Sequence, residues 1–219
     1  MRDLFNDALM QKIQKTGVIA VLVIDDVKDA LPLADALLKG GVDIMELTLR
    51  TDAAMGALKV ILEERPQMTV GIGTILTLEQ VEIVALSGAA FGVAPGTNPR
   101  IVDLAKREAL PFAPGIMTPS DIETAIEFGC KLLKFFPAQS SGGLAHLKNI
   151  SAPYQHLGLK FIPLGGVNQE NLSSYIQTPN VAAVGGSWLA TRDMINAGEW
   201  ENITKNAAKA VGVVRKIRG

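Results

Sequence analysis

One lysine stands out because it lies inside an apolar, strand-like run. Residues 131–137 read KLLKFFP, and alternation along a strand puts Lys134 on the same face as Leu132 and Phe136. Lys131 falls on the opposite face, at the start of the strand, where a solvated ammonium group costs little free energy. Desolvation favours a neutral lysine amine, which can attack a carbonyl carbon and form a Schiff base. We interpret Lys134 as a candidate nucleophile. The alternatives are an interior ion pair, or a side chain whose methylene groups are buried while its ammonium group extends into solvent.

A second group of candidates lies in the stretch ELTLRT, which ends another predicted strand. Glu46, Thr48 and Arg50 share one strand face and would project together toward the end of the sheet. A carboxylate and a guanidinium in that position are hard to explain by packing. The alternative is a structural ion pair between Glu46 and Arg50.

Glycines mark the ends of several predicted strands. Gly71 and Gly73 in GIGT weaken a strand unless another group approaches its backbone closely, and Thr74 then offers a hydroxyl. The strand ends PLGGV and VGGSW carry glycine pairs where a barrel often binds phosphate through main-chain N–H groups. The candidate anion-binding residues are Gly165, Gly166, Gly185, Gly186 and Ser187. The alternative is a pair of Gly-rich turns, and Pro95–Gly96 in APGTNP could also be a turn alone.

Short apolar runs alternate with helical patterns along the chain, which predicts a parallel sheet covered by helices. Eight such units of roughly 20 to 29 residues favour a closed (β/α)8 barrel, preceded by an extra helix at residues 3–15. A doubly wound open sheet is the alternative, but the first strand lacks a glycine-rich turn. Ser120, with Glu123 three residues later, is the predicted N-cap of one helix. The predicted strands are residues 17–24, 43–49, 69–73, 90–94, 110–114, 131–136, 160–164 and 181–185.

Composition limits the class of protein. The 219 residues are 48% hydrophobic and 20% charged, with a formal net charge of -1 and a pI near 6.1. No excess of basic charge is available for nucleic acid or an anionic membrane surface, and no apolar stretch reaches the roughly 18 residues that span a bilayer. The single cysteine, Cys130, rules out an internal disulfide, and the charged N-terminus lacks a signal-peptide core. We expect one cytoplasmic domain over residues 1–219 whose partners are small molecules or copies of itself.

Seven phrases of the sequence occur in the order and at the spacing of a known enzyme family. They are GGVDIMELTLRT, GIGTILT, VAPGTNP, PGIMTPSD, KLLKFFPA, PLGGV and GGSWL, and the match spans nearly the whole chain. The chain resembles the 2-keto-3-deoxy-6-phosphogluconate (KDPG) and 4-hydroxy-2-oxoglutarate (KHG) aldolases, class I pyruvate-dependent lyases with a (β/α)8 fold. The resemblance implies a homotrimer without cofactor or metal that cleaves a 2-keto-4-hydroxy acid to pyruvate and an aldehyde. The aldehyde is glyceraldehyde 3-phosphate from KDPG or glyoxylate from KHG.

The resemblance also implies a role for each matching position. Lys134 is the expected Schiff-base lysine, and Glu46 is the expected general acid and base. Arg50 and Thr74 are expected to bind the carboxylate end of the substrate. The residues expected to line the pocket are Pro95 and Phe136. The distal or phosphate end is expected to meet the two glycine pairs and Ser187.

Three positions depart from the commoner family pattern. Leu164 stands where PTGG supplies a threonine, Gln139 replaces the glutamate usual after FFPA, and Val23 occupies a position where some members have an arginine. Leu164 and Val23 weaken the case for strong phosphate binding, although the paired glycines remain. None of the three changes affects Lys134 or Glu46.

Two other functions fit parts of this pattern. A sugar-phosphate epimerase or isomerase on the same barrel would use a phosphate-binding site and a carboxylate, but this function leaves Lys134 without a role. A non-catalytic sensor of phosphorylated sugar acids would keep the glycines and Arg50. No metal is expected, because the only histidines, His146 and His156, lie outside the strand ends without metal-ligand spacing. Each histidine is expected at the surface.

Overall fold

The structure, a computed structural model that describes residues 5–219, alternates strands and helices along the chain. The strands are β1 (Val18–Leu22), β2 (Ile44–Thr48), β3 (Thr69–Gly73), β4 (Phe91–Val93), β5 (Phe112–Ala113), β6 (Gly115–Ile116), β7 (Leu132–Phe135), β8 (Lys160–Pro163) and β9 (Val184–Gly186). The α-helices are α1 (Asp7–Thr16), α2 (Ala30–Lys39), α3 (Ala53–Glu64), α4 (Leu78–Leu86), α5 (Pro99–Arg107), α6 (Pro119–Glu127), α7 (Gly143–Ser151), α8 (Leu172–Ile176), α9 (Arg192–Asn196) and α10 (Trp200–Arg218). Short 3-10 helices occupy Val27–Asp29, Ala152–Leu157 and Ser187–Leu189. None of the helices within residues 5–219 combines the length and apolar character needed to cross a membrane.

The strands pair in parallel, as the alternation of strands and helices predicted. One sheet has the order β5-β4-β3-β2-β1-β9 and the other the order β6-β7-β8, and the parallel sheet curls as a half-barrel. Every predicted strand overlaps an observed one, but the fifth, predicted at residues 110–114, is followed directly after Pro114 by a further strand, β6, that was not predicted. Proline has no N–H for a strand ladder, and the chain changes partners there. Ala94 N donates to Ala113 O at 3.4 Å, whereas Lys134 N donates to Pro114 O at 2.9 Å.

Side chains on one face of the strands form an interior apolar cluster. The residues of β7 alternate between this cluster and the helix side of the strands, as predicted. Leu132 and Leu164 belong to this cluster, and the half-buried Phe136 packs against it. Leu133 and Phe135 belong instead to the larger cluster that includes the helices. Since side chains alternate along a strand, residue 134 faces the interior with its neighbours at 132 and 136.

Helix α1 covers the end of this interior where the strands begin. The helix starts after Asn6, whose side chain accepts a hydrogen bond from Leu9 N at 2.9 Å. The ring of Phe5 lies 6.3 Å from that of Phe91, the first residue of β4, and Ile13 is fully buried. The predicted extra helix is therefore present from residue 7 onward. Residues 3 and 4 of that prediction lie outside the described residues.

Helix α6 begins two residues earlier than predicted, so the assignment of Ser120 as its N-cap is wrong. Thr118 is the cap: its hydroxyl oxygen accepts from Asp121 N at 3.3 Å, and the Asp121 carboxylate accepts from Thr118 N at 2.9 Å. Pro119 occupies the first helical position, where a missing N–H costs no hydrogen bond. The capping box is therefore TPSD and not the predicted SDIE.

The junction between β8 and β9 is held together by an arginine of the last helix. An isolated bridge joins Phe161 of β8 to Val181, which precedes β9. Arg218 donates to the carbonyl groups of Val181 at 2.7 Å, Ala182 at 2.6 Å and Gln14 at 2.8 Å. Burial of the guanidinium lowers the pKa of Arg218. The side chain thus links α10, the end of α1 and the segment that leads into β9.

Replacing Arg218 should weaken this junction. Arg218→Met should lower the free energy of unfolding by about 3 kcal/mol, because three carbonyl groups lose a charged donor, and should lower Tm by roughly 6–12 °C. The control is Arg215→Met in the same helix, because the Arg215 side chain donates no hydrogen bond to residues 5–219, and this variant should change the free energy of unfolding by less than about 0.5 kcal/mol. Urea and thermal unfolding measure both variants. Equal losses in the two would contradict the role assigned to Arg218.

Candidate active site

A buried pair of opposite charges lies on the interior face of the strands. β7 supplies Lys134 and β2 supplies Glu46, and the lysine Nζ lies 3.2 Å from the glutamate Oε1. The two side chains are only 7% and 3% exposed, and charges at such depth are costly unless they are paired. The structure therefore brings the two catalytic candidates together. The interior ion pair considered for Lys134 exists, with Glu46 as its partner, and Glu46 does not pair with Arg50.

Two glycines of β3 leave the space that the Glu46 side chain and the Phe91 ring occupy. β3 lies beside β2, with Gly71 registered against Glu46 and Gly73 against Thr48. A Cβ atom on Gly73 would overlap Glu46 Oε1, and one on Gly71 would overlap the Phe91 ring. The expectation that other groups closely approach this strand is confirmed.

Polar groups lie on the β2 and β3 side of the ion pair. Thr48, buried at 3% exposure, donates its hydroxyl to Leu22 O at 2.9 Å and accepts from Arg50 Nε at 3.2 Å. The two Nη groups of Arg50 donate no hydrogen bond to residues 5–219, and the residue is exposed. Thr74 directly follows β3 with a φ of +62°, in the left-handed region that a threonine adopts at a cost in free energy.

The opposite side of the ion pair is apolar. The centroid of the Phe136 ring lies 5.6 Å from Lys134 Nζ. Ile162, registered against Lys134, and Leu164 are both buried, and Val21 packs against the same interior cluster. The site therefore has a polar side built by β2 and β3 and an apolar side built by β7, β8 and β1.

Pro95 lies where the segment after β4 contacts β6. A Cβ atom on Gly115 would overlap the Pro95 carbonyl. Gly115 N donates to Gly96 O at 3.2 Å, and Thr97 donates its hydroxyl to Gly115 O at 2.8 Å. Gly115 is registered against Lys134 in the neighbouring strand. The Pro95–Gly96 turn is thus fixed against the strand beside the lysine.

The first predicted glycine pair forms a turn after β8. Gly165 and Gly166 have φ values of +90° and +79°, which favour glycine over residues with a side chain. Gly165 O accepts from Gln139 N at 2.9 Å, and Gly166 O accepts from Asn171 Nδ2 at 3.0 Å. Both carbonyl groups of the turn are therefore held by neighbouring loops.

The second glycine pair differs from the expected exposed turn, because Gly185 and Gly186 lie inside β9 and are buried. A Cβ atom on Gly185 would lie 2.7 Å from Leu164 Cγ, and one on Gly186 would overlap the Trp188 ring. Close packing is thus the reason for glycine at these two positions. Ser187 is exposed and starts the 3-10 helix after the strand.

A charge pair joins the loop after β1 to helix α9. Asp25 accepts from Arg192 Nε at 2.7 Å, from Arg192 Nη2 at 2.6 Å and from Asn196 Nδ2 at 2.9 Å. The hydrogen bonds from Arg192, and next those from Asn196, lower the pKa of Asp25 from 3.8 to about 2. A lowered carboxyl pKa stabilises the folded state above pH 3.8, and this contribution is lost as the pH falls through about 2. The charge of Arg192 is thus already compensated within the chain.

The two histidines lie in α7 and in the 3-10 helix that follows it. His156 is exposed, as predicted. His146 is half-buried, with Nε2 2.8 Å from Met117 O and its ring 6.0 Å from that of Phe135, so it links α7 to the loop after β6. In the described part of the chain, no group of three or more His, Cys, Asp or Glu residues is arranged to hold a metal ion.

One contact near the Gly165–Gly166 turn was not predicted. Tyr175, buried at 2% exposure in α8, donates its hydroxyl to Gln139 Oε1 at 3.1 Å. In the sequence, a tyrosine within an apolar helical pattern resembles any core residue. Nothing in the sequence connects it to Gln139, which lies 36 positions earlier.

The chain is similar to aldolases in sequence and in structure. The family described as "Aldolase: KDPG and KHG aldolase" matches residues 9–206, which include every candidate site residue. The 2-dehydro-3-deoxy-phosphogluconate aldolase of Haemophilus influenzae is 36% identical over 207 residues, 94% of this chain and 97% of that protein. The KHG/KDPG aldolase of Escherichia coli K12 is 38% identical over 202 residues, 92% of this chain and 94% of that protein. A crystal structure of KDPG aldolase from Legionella pneumophila, with pyruvate captured at low pH as a covalent carbinolamine intermediate, matches with a TM-score of 0.88 and 35% identity, covering 94% of this chain and 98% of that chain.

A methyl group at position 73 should disturb the ion pair. Gly73→Ala should push the Glu46 carboxylate away from Lys134, because the new Cβ overlaps Oε1, and should cost about 1–3 kcal/mol of stability. A crystal structure of the variant should place the two groups more than about 4 Å apart, beyond the usual limit for an ion pair. The control is Gly212→Ala in α10, where nothing lies within 4 Å of the added atom, and it should keep or raise stability. A Gly73→Ala structure that keeps the separation of 3.2 Å would contradict the role of this glycine.

Proposed function

Because the chain belongs to the KDPG and KHG aldolase family, we propose that it is a class I aldolase that cleaves 2-keto-4-hydroxy acids to pyruvate and an aldehyde. The reaction makes it a carbon–carbon lyase. Its substrates are 2-dehydro-3-deoxy-6-phosphogluconate, which yields glyceraldehyde 3-phosphate, and 4-hydroxy-2-oxoglutarate, which yields glyoxylate. The observation that carries the proposal is the buried contact of 3.2 Å between Lys134 and Glu46. The covalent carbinolamine of pyruvate in the Legionella relative supports the same chemistry here.

Lys134 is the nucleophile in this proposal. Transfer of a proton to the paired Glu46 carboxylate gives the neutral amine, which attacks the C2 ketone of the substrate. The carbinolamine that forms loses its hydroxyl as water, with the proton that Glu46 holds, and this step restores the Glu46 carboxylate and leaves an iminium. The iminium draws the electron pair of the C3–C4 bond as that bond breaks. The apolar side of the site, with Phe136 and Ile162, limits access of water to the amine.

Glu46 is the general acid and base. As the C3–C4 bond breaks, its carboxylate takes the proton of the C4 hydroxyl, directly or through a water, and the aldehyde leaves. The acid then returns a proton to C3 of the enamine, and hydrolysis of the resulting imine releases pyruvate and frees Lys134. One carboxyl group serves both steps because Gly73 leaves it room beside the amine.

The polar side of the site binds the C1 carboxylate. The two Nη groups of Arg50 donate to no atom of residues 5–219, and they can hold a carboxylate through two hydrogen bonds, which a lysine does less well. Thr74 adds a hydroxyl, and its left-handed backbone supports a functional reason for this strained position. Anchoring the carboxylate there directs the C2 carbonyl to Lys134. Pro95 and Phe136 line the remaining walls.

The distal end of the substrate runs along the apolar side toward the ends of β8 and β9. Gly165 and Gly166 supply backbone N–H groups, and Ser187 supplies a hydroxyl. Gly185 and Gly186 contribute by leaving room, since both are buried in β9. Leu164 and Val23 offer no polar group to a phosphorylated tail. The relative rates on the two substrates therefore measure how strongly this end favours phosphate.

The same ion pair favours an aldolase over the alternative functions. An epimerase or isomerase would use the carboxylate and leave Lys134 without a role, although its Nζ contacts Glu46 Oε1. A non-catalytic sensor of sugar-acid phosphates has no need of a lysine that is 6% exposed on the interior face of a strand. Schiff-base chemistry uses both groups at the observed distance.

We also propose that the eight strand–helix units form one closed (β/α)8 barrel in a single domain over residues 1–219. Two observations support closure: the chain runs continuously from β5 to β6 through Pro114, and the bridge between Phe161 and Val181 connects β8 to the segment before β9. The Arg218 contacts strengthen this second junction.

A homotrimer in a reducing, cytoplasmic compartment completes the proposal. Helix α4 and the residues before it expose large apolar side chains: Leu76 is 53% exposed, Ile83 48% and Leu86 87%. Such a patch on one helix supports contact with another copy of the chain. The single cysteine among 219 residues supports the reducing compartment.

Lys134→Arg should abolish cleavage of both substrates while it preserves the fold. An arginine keeps the positive charge beside Glu46 but cannot lose its proton and form an imine. Pyruvate release should fall by at least roughly 10³-fold, the scale of loss when a covalent nucleophile is removed. The matched control is Lys131→Arg on the exposed, opposite face of the strand start, which should stay within about twofold of the parent protein. Cleavage by Lys134→Arg at the parent rate would rule out the Schiff-base mechanism.

Glu46→Gln keeps the shape of the side chain and removes its proton-transfer function. Borohydride should still trap pyruvate on the protein, since without the carboxylate a buried ammonium has no charge partner, and the neutral, nucleophilic amine of Lys134 is favoured. Turnover should nevertheless fall by roughly 10² to 10⁴, the usual contribution of a positioned acid or base, and deuterium exchange into the pyruvate methyl group should fall with it. A parallel decline of trapping and turnover would mean that Glu46 only holds Lys134 in place. Normal turnover would remove Glu46 from the mechanism.

A further inference from the structure

The loops after β7 and β8 are joined at the Gly165–Gly166 turn. Ala138 N donates to Leu164 O at 2.7 Å, and Gln139 N donates to Gly165 O at 2.9 Å. The turn is therefore connected by hydrogen bonds to the loop that begins two residues after Lys134. These backbone hydrogen bonds hold the turn only at its first residue, Gly165.

The second half of the turn rests on the side chain of Gln139. A Cβ atom on Gly166 would lie 2.5 Å from Gln139 Cβ, so the Gly166 backbone packs directly on that side chain. Gln139 is itself exposed at the rim, but its Oε1 accepts from the hydroxyl of the buried Tyr175 at 3.1 Å. Asn171 holds Gly166 O from the other direction at 3.0 Å. The turn is thus clamped between two side chains that belong to different loops.

This clamp occupies the carbonyl groups of the turn and leaves its N–H groups available. Gly165 O and Gly166 O each accept a hydrogen bond, whereas neither backbone N–H donates to any atom of residues 5–219. Consecutive glycines with positive φ can present their N–H groups to an anion. A rotation of the turn would exchange these N–H groups for carbonyl oxygens, which repel an anion.

We propose that Gln139, oriented by Tyr175, is a positioning residue that holds the Gly165–Gly166 backbone in the conformation that receives an anionic distal group of the substrate. The proposal rests on the proposed aldolase function and adds how its distal subsite is maintained. Burial raises the pKa of Tyr175, so the phenol stays protonated and continues to donate to Gln139 across the neutral range. Gln139 acts through the turn and does not take part in bond cleavage.

Removing Gln139, or the Tyr175 hydroxyl that orients it, should weaken recognition of the distal group without affecting the chemistry at Lys134. Tyr175→Phe and Gln139→Leu should each raise KM for the phosphorylated six-carbon substrate by about three- to tenfold, the equivalent of one lost hydrogen bond. The value of kcat and the rate of pyruvate trapping by borohydride should stay within about twofold of the parent protein. Because the two residues act as a unit, the double variant should be no worse than either single one.

Two variants separate positioning from a general loss of structure. Gln139→Glu keeps an oxygen that accepts from Tyr175 and should therefore raise KM less than Gln139→Leu does, despite the negative charge that it adds. Tyr154→Phe removes a comparable hydroxyl contact, 2.8 Å from Glu123, and should leave KM unchanged. Thermal unfolding of all variants shows whether a change in KM accompanies a loss of stability.

Binding of inorganic phosphate tests the clamp without turnover. Phosphate should shift the amide resonances of Gly165 and Gly166, and its Kd should rise by the same three- to tenfold, about one hydrogen bond, in Tyr175→Phe. An unchanged KM and Kd in both clamp variants would overturn the proposal, and so would equal losses in kcat, trapping and KM. If the parent protein neither cleaves substrate nor traps pyruvate, but Tyr175→Phe still weakens phosphate binding, the aldolase function fails and the clamp stands.

Discussion

The contact between Lys134 and Glu46 is the interaction on which the rest of the structure depends. The two charged side chains, 7% and 3% exposed, persist in an apolar interior only because each compensates the charge of the other. Removing one partner of such a pair typically lowers the free energy of unfolding by roughly 3–5 kcal/mol. Their proximity requires that β7 and β2 both direct these residues inward. It also requires a strand beside β2 with no side chain at position 73. The pair is thus a structural constraint and a source of reactivity together.

The asymmetry around this pair gives the substrate a direction. Arg50, Thr48 and Thr74 lie on one side, and Phe136 and Leu164 lie on the other. In the proposed mechanism, a 2-keto acid places its carboxylate on the polar side, so the rest of its chain extends past the amine toward β8 and β9. The position of the polar groups then determines the orientation of the substrate, and no contact specific to the C3–C4 bond is needed. The same geometry makes the Gly165–Gly166 turn, and whatever holds it, important for the choice between substrates.

Much of this arrangement could be predicted from the sequence, because strand alternation is a local rule. The inward position of Lys134, the close approach to Gly73 and the parallel order of strands all follow from periodicity and residue type. Other features depend on contacts that no local pattern encodes. Thr118 caps α6 instead of Ser120 because Pro119 then takes the first helical position and Asp121 completes the capping box, whereas the pattern of Ser120 and Glu123 is an equally good capping signal in the sequence. Gly185 is glycine because Leu164 packs against it, and the sequence does not reveal that neighbour.

The central claim is that the buried amine of Lys134 forms an imine with the substrate ketone. Incubation of the protein with pyruvate and borohydride, followed by peptide mapping with mass spectrometry, tests it most directly. The account predicts one reduced pyruvyl group for each chain, located on Lys134. Modification of Lys131 on the opposite face of the strand, or no modification in a protein that still releases pyruvate from its substrates, would contradict it.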